Sequence, residues 1–297
     1  MTSDVRTGEG ADFGAPLSIG QVATWACLLE ASIPKPGNVH RGADFEDLSY
    51  YDFVAAAIAI GPAMDGAAAA PSLGTTVLAA TRATREVAAT NVNLGIVLLL
   101  APLARVPREV DLRSGVRQVL GSLTPDDARL VYEAIRLANP GGLGRSESDD
   151  VAGPPPSDLI AAMRSAADRD LIAGQYANGF AEVFDLAVPA IMQGVGSGWA
   201  LGDAVIRTHL RLMHERPDTL IARKLGREAA EQAAEYAGQV LRSGEPGDEN
   251  YAEALADFDF WLRSDGHRRN PGTTADLIAA ALYVVLRDRI VPVPLRV

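Results

Sequence analysis

Apolar residues recur at helical spacing almost throughout this chain, and no segment alternates apolar with polar long enough to form a half-buried strand. A sheet needs such strands. The expected fold class is therefore all-α, a single large multi-helix bundle of roughly a dozen helices with no substantial sheet. Composition agrees: hydrophobic residues are 48% of the chain and aromatics only 6%, so the core must be packed from Ala and Leu, which favour helix. A chain of 297 residues can bury one large core. Residues 1–16, "MTSDVRTGEGADFGAP", read as a flexible tail, and residues 17–297 as one helical catalytic domain.

Start signals place several helices. Ser18 precedes a helix over 17–31, and Thr124, Pro125 and Asp127 open another over 124–138. Residues 73–89 and 94–104 make two more, separated by "TNVN". Residues 158–195 read as one long or two abutting helices bent near Gly174, and 217–242 as a single helix. The irregular stretch 139–157, rich in Gly, Pro and Ser, is expected as a functional loop, because more helical text follows it.

Charge and cysteine content narrow the partners. A formal net charge of −11 makes the chain a poor general binder of nucleic acid or of an acidic membrane. The most apolar run, 94–104, is too short to span a bilayer. Cys27 is the only cysteine, so no intramolecular disulfide forms and a reducing cytoplasm is the default location. The tail lacks the apolar stretch of a signal peptide. Ala-rich helices could pack into a homodimer, though nothing in the sequence demands it.

Four polar islands interrupt the helical text. The first, "PKPGNVHRGADFED" at 34–47, holds Lys35, Asn38, His40 and Asp47 in a loop stiffened by two prolines. It reads either as a preorganised site or as a loop of solvated charges. The second, "TNVNLG", sets Asn91 and Asn93 just before the most apolar helix. Asn93 is a natural N-cap; alternatively, this helix N-terminus faces a phosphate. The third, "ERPDTLIARKLG" at 215–226, holds Asp218, Arg223 and Lys224. The fourth, "HRRNPGTTADL" at 267–277, holds Asn270, Thr273 and Asp276. Thr273 and Asp276 could form a capping box, or the segment could cradle an anion. Of the 27 basic residues only Lys35 and Lys224 are lysines, and both fall in islands, where a compact ammonium suits one phosphate oxygen. No G-x-x-x-x-G-K-[ST] loop and no kinase glycine loop occurs, so kinase or P-loop ATPase chemistry is disfavoured.

Taken together, "PKPGNVHRG", "TNVNLGIVLLLAPLA", "PGGLG", "DTLIARKLG" and "NPGTTADL" resemble the triphosphoribosyl-dephospho-CoA synthase family, in that family's order, over about residues 17–290. Relative to the enzymes of citrate and malonate decarboxylation systems, the chain looks like a divergent branch. Those read closer to T-H-K-G at Asn93-Leu94-Gly95, and closer to P-G-G-S-A-D at 271–276. The resemblance implies an all-helical transferase that moves the ribose 5-triphosphate of ATP to a hydroxyl of 3′-dephospho-CoA or a related acceptor, releasing adenine. On that reaction Lys35, Arg223 and Lys224 would neutralise the triphosphate. Asn91, Asn93 and Thr273 would bind it at helix N-termini, with Asn38 and Asn270 as further donors. Asp47 or Asp276 would be the base or the stabiliser of the cationic sugar, and His40 would orient a neighbour or protonate the leaving base. Asp218 would hold Mg²⁺. A nucleotide N-glycosidase using water, and a helical nucleotide-binding protein without catalysis, remain the alternatives.

Overall fold

The structure, a computed structural model, describes residues 17–139 and 153–290. The expected tail at 1–16, the "PGGLG" motif and most of the loop at 139–157 lie outside the described residues.

The fold is all-α, as the periodicity predicts. The fourteen α-helices of the described residues are α1 Ile19–Ser32, α2 Tyr50–Asp65, α3 Leu73–Val87, α4 Leu94–Ala104, α5 Leu112–Gly121, α6 Pro125–Ala138, α7 Leu159–Ala166, α8 Leu171–Asn178, α9 Val188–Gly196, α10 Leu201–Glu215, α11 Thr219–Leu225, α12 Arg227–Arg242, α13 Glu249–Arg263 and α14 Gly272–Arg287. A π-helical turn, Glu182–Ala187, runs into α9, and one short extended segment, Ser264–His267, follows α13. No helix among the described residues is long and apolar enough to cross a membrane.

Helices exceed the expected number because two long runs are broken by local chemistry. Gly174 lies inside α8 and does not end it. The break falls earlier, where the Asp170 side chain accepts the N–H groups of Ile172 at 2.8 Å and Ala173 at 3.3 Å and starts a new helix. The expected helix over 217–242 divides at Gly226, whose φ of +91° other residues rarely adopt. Asp111 likewise starts α5 at Leu112, accepting from Ser114 N at 2.9 Å.

Two helices form the interior. In α4 every residue except Gly95 is buried, and in α14 the whole run Leu277–Val285 is buried. A helix apolar on all sides must lie in a core rather than at its surface. Helices α1, α2, α3, α5, α8, α9, α10 and α11 pack against one or both of this pair, α6, α7, α12 and α13 form an outer layer, and one continuous cluster runs from Val22 to Val285. Where α4 and α14 meet, their N-terminal turns touch. A Cβ on Gly95 would collide with Asp276 Oδ2, so glycine is required for the carboxylate to lie against that turn.

Candidate active site

A cavity of about 740 Å³ opens at this meeting of N-termini. Nine of the twelve residues singled out from the sequence line it. From the first two islands come Asn38, Asp47, Asn91 and Asn93; from the last two, Arg223, Lys224, Asn270, Thr273 and Asp276. Helices α6, α7 and α8 add apolar lining through Ile135, Leu159, Ala162, Met163, Ile172 and Ala173.

Helix α4 forms the floor. Asn93 occupies the N-cap position, yet its side chain makes no cap bond. Asn91 caps instead, its Oδ1 accepting from Leu94 N at 3.0 Å. The buried Asn93 side chain turns to Thr84, accepting from Oγ1 at 3.1 Å, and its Nδ2 finds no partner among the described residues. A buried amide donor without an acceptor is costly by about 1–3 kcal/mol, which a ligand at this wall would relieve.

Asp276 lies just past the first turn of α14. The expected Thr273–Asp276 capping box is absent, because α14 starts at Gly272 and its first turn is capped from elsewhere. Among the described residues no hydrogen bond reaches the Asp276 carboxyl. Burial pushes this carboxyl well above the usual carboxylate range, and Glu30 and then Asp218 push the same way. Asp276 is half-buried, and it lines the cavity.

Cations face the cavity from α11. Arg223 Nη1 pairs with Asp170 Oδ2 at 2.8 Å, while its buried Nε has no partner among the described residues. Lys224 Nζ donates to the carbonyl of His267 at 3.3 Å; burial lowers its ammonium below the usual range, opposed by Asp218 and Asp47. The His267 ring stacks on Phe45 at 4.9 Å, and its Nε2 lies 3.6 Å from Asp47 Oδ1 at the rim. Asn38 Nδ2 donates to Asn270 Oδ1 at 2.7 Å, and the buried Asn38 Oδ1 meets no donor among the described residues. Thr273 Oγ1 accepts from Thr219 Oγ1 at 3.2 Å.

Three of the twelve do not line the cavity. Lys35 has no exposure; its Nζ lies 2.9 Å from Glu30 Oε1 and also donates to the carbonyls of Glu30 and Ile33. That ammonium is spent on the end of α1, so it does not meet a phosphate. His40 pairs through its backbone with Ala43, and its Nδ1 accepts from Gly42 N at 3.2 Å. Burial, then Arg263, hold its imidazole below the usual range. Asp218 is buried and accepts four hydrogen bonds. Oδ1 takes Leu220 N at 2.8 Å and Ile221 N at 3.1 Å, and Oδ2 takes Thr274 N at 2.7 Å and Thr274 Oγ1 at 2.8 Å. With its oxygens occupied by two helix starts, Asp218 does not fit a metal ligand. Among the described residues no group of three or more His, Cys, Asp or Glu side chains is placed to hold a metal ion.

The sequence does not single out Glu30 or Asp170, which line the cavity, and offers His267, also in the lining, only as part of the fourth island. Glu30 sits at the end of an apolar helix, and its one signal was a carboxylate five residues before a rare lysine.

An all-helical enzyme scaffold, with helix N-termini, cations and a perturbed carboxyl gathered in one interior cavity, is the class that fold and site define. The family model described as ATP:dephospho-CoA triphosphoribosyl transferase matches residues 16–293, and the chain belongs to this transferase family. Among solved structures, the chain is similar to an Archaeoglobus fulgidus protein provisionally described as a triphosphoribosyl-dephospho-CoA synthase. The two share 27% identity with a TM-score of 0.62, over 79% of this chain and 98% of the other. No curated protein matches the chain in sequence.

Proposed function

We propose that the protein transfers the 5-triphosphoribosyl group of ATP to a hydroxyl of 3′-dephospho-CoA and releases adenine. The observation that carries this reading is Asp276, an unpartnered carboxyl at the joined N-termini of α4 and α14, sharing one cavity with Arg223 and Lys224.

The chemistry follows from the bond broken. Cleaving the N-glycosidic bond leaves positive charge on the ribose ring and an electron pair on an adenine nitrogen. A carboxyl that burial makes slower to give up its proton suits an acid for that nitrogen, so Asp276 is assigned that role. Arg223 and Lys224 neutralise the triphosphate, and the Asn93 amide, with those first-turn N–H groups of α4 and α14 that Asn91 and Asp218 do not cap, completes its cradle. The apolar lining from α6, α7 and α8 receives the adenine ring and excludes water from the cationic centre. Mg²⁺ belongs to the substrate, arriving on the triphosphate; no protein ligand is assigned to it.

The test is incubation of purified protein with ATP, Mg²⁺ and 3′-dephospho-CoA, followed by mass spectrometry. The expected result is adenine and a triphosphoribosyl adduct in equal amounts. Adenine without an adduct would mean transfer to water, and no adenine would mean binding without catalysis; either result contradicts the proposal.

A further inference from the structure

The wall of the cavity contains an ion pair that packing does not require. Lys35 and Glu30 lie 2.9 Å apart with side-chain exposures of 0% and 5%. Removing two charges from water costs several kcal/mol each, and apolar side chains of similar volume often serve stability as well or better. The pair is also one-sided. Lys35 directs its ammonium at Glu30 Oε1 and at the carbonyls of Glu30 and Ile33, and none of it reaches the cavity. Glu30 does line the cavity, and among the described residues no hydrogen bond reaches its Oε2. One carboxylate oxygen is thus held from behind while the other is presented.

Asp276 lines the same cavity in opposite surroundings, with no cation paired to it. Two carboxyl groups whose environments differ in this way divide the roles of base and acid. We infer that Glu30 is a catalytic residue, the carboxylate that takes the proton of the attacking hydroxyl, and that Lys35 is the positioning residue that holds it. The inference rests on the transfer reaction proposed above. In the step, the acceptor oxygen bonds to ribose C1′ and its proton passes to Glu30 Oε2. The bond from C1′ to adenine breaks, its electron pair stays on the base, and the Asp276 proton neutralises the departing ring. One proton has then moved from Asp276 to Glu30, and exchange with water after product release restores both.

The experiment measures adenine release and ATP binding for wild type and variants with ATP and 3′-dephospho-CoA. If the wild type releases no adenine, the transfer reading itself fails, whatever Glu30 does. With an active wild type, Glu30→Gln is expected to slow adenine release by about 100-fold or more while ATP affinity stays within about threefold. Release within about threefold of wild type overturns the inference. Glu30→Gln leaves Lys35 unpaired, so the double variant Glu30→Gln, Lys35→Met is made beside it. It lacks both charges and is expected to fold, bind ATP and remain as slow. Lys35→Met alone is expected to lower kcat with KM for ATP nearly unchanged; a raised KM with kcat intact overturns the positioning role. Added formate is expected to restore part of the activity of Glu30→Ala, and absence of any recovery overturns the assignment of the carboxylate as base.

Discussion

Asp218 Oδ2 accepts two hydrogen bonds from Thr274, at 2.7 Å from the backbone N and 2.8 Å from Oγ1, while Oδ1 of the same carboxylate opens α11. One side chain therefore starts two helices, and it frees Asp276 from the capping duty its position in T-x-x-D would impose. Asp218→Ala removes both caps and leaves Thr274 unsatisfied in the interior. The expected loss is about 2 kcal/mol or more of unfolding free energy, read from denaturant melts. The Mg²⁺ dependence of adenine release, normalised to folded protein, is expected to stay as in wild type. A shifted Mg²⁺ requirement would return Asp218 to metal binding.

Gly95→Ala isolates the contact between α4 and α14. Alanine suits a helix better than glycine, so local propensity favours the change. Its Cβ, however, would occupy the place of Asp276 Oδ2. The carboxyl must move, and displacement of a reacting group by about 1 Å can slow an enzyme about 100-fold. Adenine release is expected to fall sharply while circular dichroism stays helical. Full activity in Gly95→Ala would show that Asp276 need not lie against that turn.

Asp276 also sets a pH dependence of stability. Burial raises its carboxyl in the folded chain, so the folded state keeps a proton that the unfolded chain gives up above about 3.9. Its contribution is fully present below that pH and is lost as pH rises through the raised folded value. Asp276→Asn removes the loss. The variant is expected to melt higher than wild type at pH 8, with a smaller gain at pH 4. Equal gains at both would show that the carboxyl titrates normally.

His209 acts in the other direction. It is fully buried, neither ring nitrogen has a partner among the described residues, and burial, assisted by Lys35, holds it well below the usual imidazole range. The unfolded chain takes a proton below about 6.5 that the folded chain refuses, so stability falls as pH drops through that region. His209→Leu nearly conserves volume and removes both unpaired nitrogens. It is expected to raise Tm, and to raise it more at pH 5.5 than at pH 8. A lower Tm at both would mean that the imidazole has a role the cavity account omits.

How much of this was legible beforehand follows from range. The helices were written in local period and local caps, as at Ser18 and Thr124, whose side chains accept from Gln21 N and Asp127 N as expected. Breaks at Asp170 and Gly226 were missed because apolar periodicity continues across them. At the site, the convergence of Asn91, Lys224 and Asp276 on one cavity follows from island composition and the family resemblance. What failed depended on contacts distant in sequence. The cap on α14 comes from a residue 56 positions away, and Lys35 turns inward to Glu30 because no local rule fixes which way a loop lysine faces. Glu30 was overlooked because an apolar helix masks its single carboxylate.

The most direct measurement is single-turnover adenine release from ATP in the presence of 3′-dephospho-CoA, wild type against Asp276→Asn, with ATP affinity measured alongside. If a buried protonated carboxyl drives departure of the base, release falls by about 100-fold or more and affinity changes little. Release at the wild-type rate from Asp276→Asn would contradict the account.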